Sequence, residues 1–168
     1  MNKDYIFSKN NKEISWKSIN SINFQNCNEL LHNLKKEGFK VSPWIENIVE
    51  KYNYSFEKYS FPIELVKLNL VDLGLNKPTD LQNIYKKIIE RNFSLVPPAI
   101  AIFSRKLYLE QPTGEWLRFA TPLDSMVDTD GVPHLPKIGK ALSSYFVETY
   151  WSYPKAIFHP HNEFIVVN

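Results

Sequence analysis

Residues Ser143–Trp151 read SSYFVETYW. Aromatic and β-branched residues dominate it, so it reads as a strand. Alternation sends Tyr145, Val147, Thr149 and Trp151 to one face, and Phe146, Glu148 and Tyr150 to the other. Both faces therefore carry aromatic surface. Either the sheet is covered on both sides, or one side presents rings to a partner. Just upstream, KLYLEQ (106–111) and EWLRFAT (115–121) alternate around Pro112-Thr113-Gly114, which predicts a β-hairpin. Asp128-Thr129-Asp130-Gly131 predicts a tight turn, and EFIVV (163–167) a closing strand.

Towards the N-terminus the period changes from two to 3.6. Cys27, Leu30, Leu31 and Leu34 form one apolar helical face, with Asn26 as its cap and Gly38 as its left-handed stop. Ser42-Pro43 starts a second helix, with Pro43 at the position where a missing N–H is harmless. Ile45, Ile48, Val49 and Tyr52 are its stripe, and the short turn between predicts a helical hairpin. Ile63–Leu70 favours a strand, with a helix as the alternative. Thr79-Asp-Leu-Gln82 matches a capping box for a third helix carrying Leu81, Ile84, Tyr85, Ile88 and Ile89. Pro97-Pro98 then argues against further helix. The expected fold class is α+β, with N-terminal helices packed on a mainly antiparallel C-terminal β-sheet.

The chain has 168 residues, with 20 Lys+Arg against 18 Asp+Glu and a net charge of +2. Its length suits a single domain over 1–168. Within it, 1–26 reads as a loosely packed segment, 27–96 as a mainly helical part and 97–168 as a β-rich part. Residues 1–96 carry a net +3 and 97–168 a net −1. The near balance argues against a dedicated nucleic-acid binder. A single cysteine, Cys27, excludes a disulfide framework. No apolar run has the character of a signal peptide or a membrane span, so a cytoplasmic protein with no membrane partner is expected.

The segments GFKVSPWIENIV (38–49), IELVKLNLVDLGL (63–75), the helix from Thr79 and LYLEQPTGEWLRFATPL (107–123) together resemble a family of small bacterial proteins. That family shows a GF-x-(V/I)-S-P turn before a helix and an L-x-Q-P-x-G-E-W-L hairpin. The DTDG turn and the HPH-x-EF-x-V end are similar too. The family is uncharacterised, so the resemblance implies a compact bacterial domain and no activity. Where its members favour Cys-Pro-x-Glu after the third helix, this chain has Val96-Pro97-Pro98-Ala99.

Several residues carry candidate chemistry. In His159-Pro160-His161 the two imidazoles point to one side of an extended segment and, with His134, could hold a divalent metal. The alternative is a polar turn before the last strand. Asp128 and Asp130 begin like a calcium loop, but no later acid completes it. Glu110 and Glu115 flank the expected hairpin loop as possible paired carboxylates. Arg118, beside Trp116, is the leading anion anchor. Cys27 sits on an apolar stripe and reads as a small buried hydrophobe.

These features favour a binding or protein-interaction module with an aromatic C-terminal sheet, its contact residues Trp116, Arg118, Tyr150 and Trp151. The partner would be another protein or a second copy. A small metal-assisted hydrolase using His134, His159 and His161 is the alternative. Single-stranded nucleic-acid binding beside Arg105, Lys106 and Arg118 is a weaker one.

Overall fold

A computed structural model describes residues 15–168. Residues 1–14, the larger part of the expected loose N-terminal segment, lie outside the described residues. The elements in chain order are β1 (Ser15–Ile19), α1 (Cys27–Lys36), β2 (Lys40–Val41), α2 (Pro43–Tyr52), β3 (Ile63–Asn69), β4 (Thr79–Asp80), α3 (Leu81–Glu90) and α4 (Pro98–Phe103). A 3-10 turn (Ser104–Leu107) follows, then β5 (Trp116–Phe119), β6 (His134–Ala141), β7 (Ser144–Trp151), β8 (Ile157–Phe158) and β9 (Glu163–Val167).

Seven strands form one mixed sheet in the order β1-β3-β9-β5-β6-β7-β2, and β4 and β8 pair separately. The fold is α+β, as the strand and helix patterns imply. Most neighbours are antiparallel, whereas β5–β9 and β2–β7 are parallel. Thus β2 is more than a turn between α1 and α2: it adds two residues to the sheet edge beside β7.

Alternation along the strands builds two separate cores. On the first face Leu65, Leu117, Phe119, Ile138, Val147 and Ile165 meet α1, α2 and the wholly buried α4. On the second face Val66, Leu68, Phe164 and Val166 meet Leu81, Ile84, Tyr85 and Ile88 of α3. One helix cannot span seven strands, so α3 covers β3 and β9 and leaves much of the second face of β5–β7 half-exposed.

Local chemistry explains where sequence and structure agree. Asn26 caps α1 by accepting from the Glu29 N–H, and Gly38 follows at φ +88°. Ser42 caps α2 by accepting from the Trp44 N–H, with Pro43 next.

Three expectations need correction. The cap of α3 is Asp80, which accepts from the Asn83 N–H at 2.9 Å, while the Thr79 hydroxyl donates to Lys77 O. Pro98 begins a helix and does not prevent one, because its missing N–H falls in the first turn. The hairpin 106–111/115–121 does not form. Residues 104–107 coil into the 3-10 turn, and β5 pairs instead with β6 and β9. The cause is Arg105, which turns inward and bonds Gln111 Oε1 at 2.7 Å and Gly139 O at 3.1 Å. The hairpin implied by the family resemblance fails for the same reason.

Strand β6 was hidden in the sequence by Pro136 and Gly139. Pro136 lies just past the last β5–β6 pair, Arg118–Lys137, so its missing N–H ends the ladder without breaking it. Gly139 is required by space: a Cβ there would stand 2.3 Å from the Trp116 ring. Gly139→Ala is expected to destabilise the fold by about 1–3 kcal/mol. The loss should shrink when combined with Trp116→Ala, as measured by urea midpoints of the single and double variants. Asp80→Ala should cost about 1 kcal/mol and Thr79→Ala clearly less, by the same measurement.

Candidate functional site

The open half of the second sheet face gathers aromatic rings around two cations. Trp116 and Arg118 on β5, Lys137 on β6, and Phe146, Glu148 and Tyr150 on β7 all point there by strand alternation. All six are half-buried. The Lys137 ammonium lies 4.7 Å from the centroid of Trp116 and 5.6 Å from that of Tyr150. The Arg118 guanidinium lies 5.4 Å from Tyr150 and 5.6 Å from Phe158. These are cation–π distances.

Among the described residues neither Arg118 nor Lys137 makes an ion pair, and Arg118 Nε has no hydrogen-bond partner. Burial lowers the pKa of both groups from the ordinary value, and the Arg118 charge lowers Lys137 further. Tyr150 and Glu148 respectively offset part of this. Two like charges held together in partial burial repel each other, and an incoming anion relieves that repulsion.

Three of the four contact residues expected from sequence thus share one site: Trp116, Arg118 and Tyr150. Trp151 belongs to the opposite face and is 58% exposed, though its ring lies 6.2 Å from Tyr150. Lys137 and Glu148 were missed, Lys137 because the Pro and Gly of β6 masked its strand.

The expected histidine group is divided. His159 and His161 stack with centroids 6.1 Å apart, just past Phe158, which packs on the second face. His134 points to the first face. Its Nε2 lies 2.9 Å from Asp128 Oδ2, its Nδ1 lies 3.0 Å from the Thr149 hydroxyl, and Trp44 stacks on its ring. Among the described residues no three His, Cys, Asp or Glu side chains are placed to hold a metal. Asp128 is the first residue of the expected turn. Its Oδ1 accepts from the N–H groups of Asp130 and Val132, so its oxygens close the turn and hold His134.

The remaining candidates are spread over other parts of the fold. Glu110 pairs with Lys17, and Glu115 lies 3.9 Å from Lys67. Arg105 is wholly buried, and Lys106 pairs with Glu37 at 2.8 Å, so neither reaches the second face. Cys27 is buried, which pushes its thiol up to about 12. No helix among the described residues is long and apolar enough to cross a membrane. No protein-family model matches the chain, nor does any curated protein or solved structure.

Burial alone raises the Asp128 carboxyl, but bonds from His134, Val132 and Asp130 outweigh it and hold the group below the usual carboxylate range. Its folded pKa is thus below the unfolded value of about 3.9. The resulting stability is fully present above that value and lost as pH falls through the folded one. Asp128→Asn should therefore cost about 1–3 kcal/mol at neutral pH. The gap to the native chain should begin to narrow below about pH 4 and go on narrowing as the pH falls further, as urea midpoints measured from pH 7 downward will show.

Proposed function

We propose that the protein is a binding module whose open sheet face takes an acidic segment of a partner protein. The supporting observation is the pair Arg118 and Lys137, two adjacent cations set among Trp116, Phe146, Tyr150 and Phe158 with no carboxylate bonded to either. Arg118 supplies a planar donor for a carboxylate. Lys137 adds a compact second charge, and the rings give flat apolar area on each side. Half-burial lowers the effective dielectric, so each contact to an anion counts for more than on an open surface. The small net charge of +2 fits a partner chosen by one local patch and not by a long-range field.

Titration with an oligoglutamate peptide, followed by Trp fluorescence and calorimetry, tests this. The native protein is expected to bind it, more weakly at high salt, and to ignore oligolysine. Arg118→Gln with Lys137→Gln should weaken binding at least about tenfold, or 1.4 kcal/mol. Equal affinity of native and double-variant protein would overturn the reading. A concentration-dependent dimer lost in the double variant would replace the acidic partner with a second copy.

A further inference from the structure

The chain Asp128–His134–Thr149 lies on the other face from the two cations, and it ends at a cavity. Asp128 and His134 are 1% and 2% exposed. Thr149 lines a cavity of about 240 Å³ together with Trp44, His134, Glu148, Tyr150 and Trp151. The contacts of Asp128 fix one proton of the ring. Asp128 accepts from the N–H groups of Asp130 at 2.8 Å and Val132 at 2.9 Å, which favours the ionised carboxylate. An ionised carboxylate only accepts. His134 Nε2, 2.9 Å from Asp128 Oδ2, therefore carries a hydrogen. In the neutral ring Nδ1 is then the acceptor, and the Thr149 hydroxyl at 3.0 Å donates to it. Trp44, stacked at 5.3 Å between centroids, sets the plane of the imidazole. A base aimed at a hydroxyl, with a carboxylate orienting the base, is the arrangement that activates an alcohol as a nucleophile.

The sheet edge supplies donors. Val147 O accepts from Ser42 N across that edge. By alternation, the N–H groups of Thr149 and Trp151 face the same way. Strand β2 stops at Val41, opposite Val147, and leaves the edge beyond it open. The two stand about 6.6 Å apart along the strand, too far to share one oxygen, so the Thr149 N–H beside its own hydroxyl is the donor for the oxyanion of an attacked carbonyl.

We propose that Thr149 is the nucleophile of an acyl-transfer site for esters with short acyl groups, with His134 as general base and Asp128 as the residue that positions it. Thr149 Oγ1 bonds to the acyl carbon while its proton passes to His134 Nδ1. The tetrahedral adduct collapses, the bond to the leaving oxygen breaks, and that oxygen takes the proton and departs as the alcohol. Water then adds to the acyl-threonine and gives a proton to His134. The acid departs, and the Thr149 hydroxyl recovers its proton. Ester and water become acid and alcohol, with no redox change. The cavity is below the roughly 300–1,000 Å³ of drug-sized sites, which is why the acyl group is short.

The test uses p-nitrophenyl acetate with the whole chain. Nitrophenolate release is followed, and the acetyl group is located by intact mass and peptide mapping. The expected result is acetyl on Thr149 with a release faster than the background from surface lysines. Thr149→Val, which swaps the hydroxyl for a methyl of similar shape, should remove both. Thr149→Ser should keep both. Asp128→Asn should slow acylation at least about tenfold by loosening the ring. Acetyl on lysines alone, or equal release by the native and Thr149→Val proteins, overturns the proposal. If Thr149→Val fails to fold, the mapped acetyl position and the Thr149→Ser variant decide it alone.

Discussion

A single buried guanidinium ties the loop before β5 to the middle of the sheet. Arg105 is 0% exposed and is the largest fully buried side chain of the described residues. No carboxylate pairs with it among those residues. Its guanidinium donates instead to Gln111 Oε1, Gly139 O and Tyr108 O, and it stands 5.1 Å from the Tyr145 ring. Burial pushes its pKa down to about 10, so it remains charged at neutral pH. Removing such an ion from water costs several kcal/mol, and three charge-assisted bonds of about 1.5–3 kcal/mol each can offset that. All of those bonds must form together. Gln111 in turn donates to Glu115 O and Ile138 O, both at 3.2 Å. Arg105 therefore clamps residues 105–115 onto β6 and β7 and delivers β5 to its place. Trp116, next after that clamped stretch, pairs with Gly139 in the β5–β6 ladder.

The clamp also explains why the two sheet faces differ. It draws the 3-10 turn and α4 to the first face, where α1 and α2 complete a closed core. The second face receives α3 alone. Its uncovered part is stabilised by rings over cations and not by further burial. Such contacts give about 0.5–2 kcal/mol each, less than a packed aliphatic layer, and they tolerate water at their margin. A face built this way is stable enough to stay in place and polar enough to receive an anion.

Much of this was legible in the sequence. Local signals were read where the backbone answers to its neighbours: Asn26 and Ser42-Pro43 mark helix starts, Asp128–Gly131 marks a turn, and Ser143–Trp151 alternates as a strand. Trp116 and Arg118 were legible as neighbours because they alternate on one strand, whereas Tyr150 and Trp151 were named together as exposed rings although their parity separates them. The misses were tertiary. Nothing near Arg105 in sequence announces that it turns inward, since its acceptors lie as far away as Gly139. Lys137 was hidden by a Pro and a Gly whose effect depends on where β5 ends. His134 was matched with His159 and His161 by residue type, whereas the fold spends its two nitrogens on Asp128 and Thr149. The six-residue step from Asp128 to His134 across a turn was the available signal.

The two proposed sites share one cause. Ser42 donates its N–H to Val147 O and uses its hydroxyl to cap the Trp44 N–H, and Pro43 has no N–H to offer. The ladder along β7 must therefore end at Val147, because the chain has already turned into α2. An open sheet edge invites pairing with other chains. Here the open length is only Glu148–Trp151, flanked by the indoles of Trp44 and Trp151, and so short and bulky an edge resists strand addition. The same four residues alternate across the sheet. Glu148 and Tyr150 join the cationic face, and Thr149 joins Asp128 and His134 on the other. Yet all four line the cavity, because at an edge both faces meet. A longer β2 would have covered this edge with hydrogen bonds and left neither the cavity nor the contact between the two faces.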